Sequence, residues 1–114
     1  MAASFKIGVA SVTKTIDIHR PGMEPEQFTA EIRVRSLDDQ EALDKKLKAA
    51  ETHNTKHVRE DLLALGGIVG ADDKPAESSK ELLDAVYKDP YAHVALCKAW
   101  GEVQRGVSEH VAKN

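Results

Sequence analysis

The hydrophobic period of this chain changes once, near residue 36, and that change limits what it can fold into. In residues 11–19, Val12, Ile16 and Ile18 occupy even positions with Thr13, Thr15 and Asp17 between them. In residues 27–35, Phe28, Ala30, Ile32 and Val34 alternate with Thr29, Glu31, Arg33 and Arg35. A period of two is that of a strand with one buried face. The intervening HRPGMEPE, residues 19–26, holds a Pro21-Gly22 turn signal and Pro25, which has no N–H to pair. The two stretches are therefore expected to form an antiparallel hairpin with a long loop. Lys14 interrupts the apolar face of the first strand, which predicts only partial cover there. FKIGV, residues 5–9, alternates in the opposite phase and reads either as an extra edge strand or as the same strand after a bulge at Gly8.

From residue 37 onward the spacing is helical. Asp38 and Glu41 form a capping pattern, Leu37 stands where it can staple onto Ala42, and Leu43, Leu47 and Ala50 follow. THNT, residues 52–55, is a break in which Asn54 or Thr55 can cap a second helix. Val58, Leu62 and Leu65 would line that helix, and Gly66-Gly67 would end it. Residues 68–79 read as a loop with a short extended piece at Ile68-Val69. Ser78 with Glu81 predicts the start of a third helix bearing Leu82, Leu83, Val86 and Tyr87. Asp89-Pro90 predicts a capped fourth helix. That helix presents Leu96, Trp100, Val103 and Val107 at i, i+4, i+7 and i+11, beside a smooth strip of Ala92, Ala95 and Ala99. Gly101 and Gly106 weaken it, and the tail beyond Gly106 is expected to fray. The expectation is one α+β domain over residues 1–114: an N-terminal antiparallel hairpin, with or without a third strand, over residues 1–35, then about four α-helices over 36–114.

Charge and composition narrow the function. A net charge of −3 is a poor electrostatic match for nucleic acid. No apolar run approaches a membrane span, and the N-terminus lacks the pattern of a secretion leader. Cys97 is the only cysteine, so no internal disulfide can form and a reducing cytoplasm is the expected setting.

Little in the sequence suggests catalysis. His53 and His57 are four apart, as are His93 and Cys97, and two such helix faces brought together would offer three nitrogens and a sulfur to zinc. The simpler reading makes the histidines surface residues and Cys97 a small buried hydrophobe. Cys97 as a nucleophile would have only His93 as a base, with no orienting third group. Asp38-Asp39 and Asp72-Asp73 read as a helix start and a turn. GGIVG lacks the spacing and lysine of a phosphate loop, and Lys45, Lys46 and Lys48 lie among acidic neighbours on a solvated face. No enzyme, metal or cofactor is expected.

The order of features over most of the chain resembles the tail assembly chaperones of long-tailed bacteriophages and their prophage remnants. An N-terminal hairpin precedes a helical region; then come GGIVGADDKPAESS, the Ser-x-x-x-Leu-Leu helix SKELLDAVYKDPY, the Ala-rich AHVALCKAWGEVQRG and a Lys113-Asn114 terminus, the likeness being strongest over residues 61–114. The resemblance implies a non-catalytic protein of the host cytoplasm that coats the tape measure protein, keeps it soluble, helps bring tail tube subunits to it, and is absent from the finished particle. Some relatives also make a longer, frameshifted form. On this reading Leu96, Trp100, Val103 and Val107 are the expected protein-binding strip, with anchors at the spacing of helix-in-groove docking. Self-association is left open. The competing readings are a structural tail protein of terminator or connector type and a small metal-binding module built on the His/Cys set.

Overall fold

The computed structural model describes residues 10–50 and 55–106, together with Ser4. It is α+β: strands β1 (Ser11–Ile18) and β2 (Glu26–Arg33), helices α1 (Leu37–Ala50) and α2 (Lys56–Asp61), strand β3 (Leu62–Gly66), and helices α3 (Lys80–Lys88) and α4 (Pro90–Arg105). The hairpin forms as its alternation requires, with Ile16 opposite Phe28 and Lys14 opposite Ala30. The expected strand at residues 5–9 lies outside the described residues, as do residues 52–54 of the predicted 52–55 break and the tail from Val107.

The third strand of the sheet comes from elsewhere. Leu62 and Leu65, expected on the second helix, lie in β3, which pairs antiparallel with β2 to give the order β1-β2-β3. Two leucines three apart suit a helix face, but they also suit a bulged strand. Ile32 pairs with Leu62 while Glu31 pairs with Ala64, so Leu63 is the extra residue. The bulge turns both Leu62 and Leu65 into the core and leaves Leu63 45% exposed. Gly66 fits where β3 crosses Thr29, since a Cβ there would stand 2.7 Å from Thr29 Oγ1. Gly67 takes a left-handed turn, as a glycine there should, but it ends a strand rather than a helix.

Helix starts follow local chemistry, shifted by a residue or two from the expected positions. Ser36 Oγ, not Asp38, accepts the early N–H of Asp39 in α1, and Leu37 is 77% exposed and staples nothing. Ser79 rather than Ser78 caps α3, while the Ser78 hydroxyl accepts the Leu65 N–H and ties the loop to β3. Asp89 caps α4 as predicted, accepting from Tyr91 and Ala92 with Pro90 in the first turn. Gly106 closes α4 in a left-handed conformation, so it ends the helix rather than weakening it. Asp73, with φ of 59°, and the Asp72 carboxylate receiving the Lys74 N–H make the expected turn.

One face of the sheet carries the core, and α4 covers it. The buried line of α4 is Ala92, Leu96, Ala99 and Val103, so the expected strip is rotated toward the alanines. Two alanines on that line let the helix axis approach the strands closely. The face of β1 is covered more fully than Lys14 suggested: that side chain is buried, with its stem in the core and Nζ 3.9 Å from Glu102. The opposite sheet face keeps its polar odd-numbered residues, among them Thr13, Asp17, Gln27 and Thr29, toward solvent.

Leu96, 1% exposed, and Val94, 69% exposed, lie on opposite sides of α4. Leu96→Ala should lower unfolding free energy by about 2–4 kcal/mol, and Val94→Ala by no more than about 0.5 kcal/mol, in chemical denaturation.

Candidate functional site

Of the expected docking strip, Leu96 and Val103 are core residues at 1% and 5% exposure, Trp100 is half-buried, and Val107 lies outside the described residues. Leu96 and Val103 are thus not surface residues. They hold α4 on the sheet, and Trp100 faces a polar centre.

That centre is the Asp61 carboxylate, fully buried where α2 passes into β3. Arg33, at the end of β2, donates from Nε and Nη2 to Oδ1 at 2.9 and 2.7 Å. Arg35 Nε and Trp100 Nε1 each donate to Oδ2 at 2.7 Å. Burial alone pushes this carboxyl up, but the bonds from Arg35, Trp100 and Arg33 outweigh it and hold the group below its ordinary value. Gln104 extends the junction by accepting the Arg35 N–H at 2.8 Å and donating to the Arg33 carbonyl at 2.7 Å. Gln40 of α1 donates to the Arg35 carbonyl at 3.1 Å. The arrangement is structural: each carboxylate oxygen already has its donors.

The His/Cys set is dispersed among other tasks. His57 packs edge-on against Trp100 with ring centroids 4.6 Å apart, and its Nδ1 is buried without a partner. Burial, reinforced by the nearby Arg35 charge, lowers its pKa. His93 Nδ1 meets the Tyr87 carbonyl at 3.0 Å and Nε2 meets Thr55 Oγ1 at 3.2 Å. Thr55 stands at the N-cap of α2 as expected, but its hydroxyl bonds Tyr87 and His93 rather than a helix N–H. Cys97 is half-buried, and burial raises its thiol pKa, the opposite of what a nucleophile needs. His53 lies outside the described residues; among those described, no three His, Cys, Asp or Glu side chains are grouped to hold one metal ion.

The feature that sequence reasoning missed is a cleft at the opposite end of the sheet, beside the hairpin loop. It has a volume of about 490 Å3, within the range of ligand pockets. Buried Ile18, Phe28 and Ala92 form its floor, and Ile68, Val69, Ala85 and Val86 its apolar walls. Val69 is 58% exposed. Polar groups sit at the mouth: Arg20 donates from Nε to Glu26 at 2.9 Å and from Nη2 to Asp89 at 2.8 Å, and lies over the Tyr91 ring. The Arg20 hydrogen bond, with those from the α4 backbone, holds the Asp89 carboxyl below its usual range. The signal in the sequence was the loop residue pair Ile68-Val69, but which elements faced it was not legible.

Comparison of the chain with protein-family models, curated proteins and solved structures gives no match. No helix among the described residues is long and apolar enough to cross a membrane.

Asp61→Asn leaves two guanidinium groups without their anion and should cost about 3–5 kcal/mol in denaturant unfolding, whereas Trp100→Phe, losing one bond to a charged acceptor, should cost about 1.5–3 kcal/mol. Because the folded-state pKa values of His57 and Asp61 are both lowered, the unfolded chain takes up protons more readily at each. Stability should therefore decline as pH falls through the ordinary histidine range near about 6.5, and again below about 4. His57→Gln should flatten the first decline in a pH series of thermal melts.

Proposed function

We propose that this chain is a non-catalytic tail assembly chaperone of the long-tailed phage type, which binds the tape measure protein in the host cytoplasm, keeps it soluble and helps bring tail tube subunits to it. The observation that carries the reading is the apolar cleft between the hairpin loop and the α3–α4 corner. A tape measure protein exposes apolar helix faces until the tube covers them, and a cleft floored by Phe28, Ile18 and Ala92 accepts side chains from such a face. The docking surface of this proposal is that cleft together with Tyr91, 44% exposed on α4 beneath the Arg20 guanidinium at the mouth. It replaces the strip through Leu96 and Val103, which is occupied by the sheet.

Two further observations support a binding role. The order of features over residues 61–114 resembles that of the tail assembly chaperones. The side chains best suited to chemistry are engaged elsewhere: Asp61 with two arginines, His93 with Tyr87 and Thr55. Many copies along one long partner act through avidity, so a single site need not be tight.

The gene directly downstream should be a very long, helix-rich reading frame, and co-expression with its product should move that product from pellet to supernatant; no shift would overturn the proposal. Ala85→Trp, at an exposed wall of the cleft, should abolish the shift while leaving the circular dichroism and melting of this chain unchanged.

A further inference from the structure

We infer that the cleft selects a partner segment in which an apolar anchor is flanked by a basic residue. The inference rests on the proposed docking role of the cleft and adds to it the chemistry of what docks. Two carboxylates, Glu26 and Asp89, line the mouth against one cation, Arg20. That cation is already divided between them, with Nε on Glu26 and Nη2 on Asp89. Lys88, exposed at the end of α3, does not line the cleft. Asp17, bonded to the neutral amide of Gln27, stands on the opposite face of the sheet and does not line the cleft. The mouth is therefore anionic around an apolar floor.

The accessible member of the set is Glu26, whose side chain is 51% exposed against 30% for Asp89. Asp89 is also committed to the first N–H groups of α4. A lysine or arginine about one helical turn from an anchor in the cleft would reach Glu26 and could take the place of one Arg20 bond. An acidic flank would instead meet both carboxylates. Charge at such a rim acts mainly on partner choice and on association rate, while the apolar floor supplies the burial.

The test uses the full chain, labelled with 15N and titrated with three helical peptides that share leucine anchors and differ only in a flanking Lys, Gln or Glu. Amide shifts should concentrate at Val69, Ala85 and Ala92. The Lys peptide should bind roughly two- to five-fold more tightly than the Gln peptide, the effect of one exposed ion pair, and the Glu peptide most weakly. The Lys advantage over the Gln peptide should vanish in Glu26→Gln and in about 0.5 M salt, where screening is nearly complete. Equal affinity for Lys and Gln peptides, a preference for Glu, or shifts at none of the three amides would overturn the inference. Equal affinity would leave the chaperone reading to stand on co-expression; a failed co-expression with the Lys preference intact would remove that reading and keep the selectivity.

Discussion

The architecture depends on one buried carboxylate. Asp61 stands at the point where the chain leaves α2 and enters the sheet, and four hydrogen bonds from three side chains converge on its two oxygens. An isolated carboxylate in that position would be costly to desolvate. With Arg33 and Arg35 beside it, the group stays ionised and becomes a fixed point of the fold. It ties the end of β2 to the start of β3, which sets those strands side by side. It also receives the indole of Trp100, which places α4 across the sheet.

Much of the remaining packing is arranged around that junction. Once Trp100 is committed to Asp61, α4 can turn only its Ala92–Leu96–Ala99–Val103 line toward the strands. Gln104 then borders the end of β2 almost as a further strand would, bonding the Arg35 amide and the Arg33 carbonyl. Arg59 to Asp84 joins α2 to α3 at 2.6 Å. α1 is held more lightly: Leu43 is its only buried residue, and Gln40 is its polar link to the junction. At the far end of the sheet, among the described residues, no comparable knot draws the helices down. There the Arg20 bonds to Glu26 and Asp89 bridge the hairpin loop and the α3–α4 corner over a gap, and the cleft is that gap.

Some of this was legible in the residues themselves. The alternation around Ile16 and Phe28 announced the hairpin, and Asp89-Pro90 announced the start of α4. The acidic Asp61 on the apolar line of Val58, Leu62 and Leu65 was a visible anomaly, as was the arginine pair Arg33 and Arg35 at the end of β2. Neither could be matched to the other without knowing that the chain returns to the same sheet edge. Leu96 and Val103 were assigned to a docking strip, although they are core residues, for a related reason. A helix with two adjacent apolar lines can bury either, and Trp100 carries an N–H that must find an acceptor when it is covered.

The sequence by itself determined the hairpin, the helical second half and the capped final helix, because alternation, turns and caps act over a few residues. Tertiary structure decided that Leu62–Gly66 is a strand, which line of α4 is buried, and where the cleft opens. Those outcomes hang on charges and hydrogen bonds between residues tens of positions apart, and no local period records which carboxylate will meet which guanidinium.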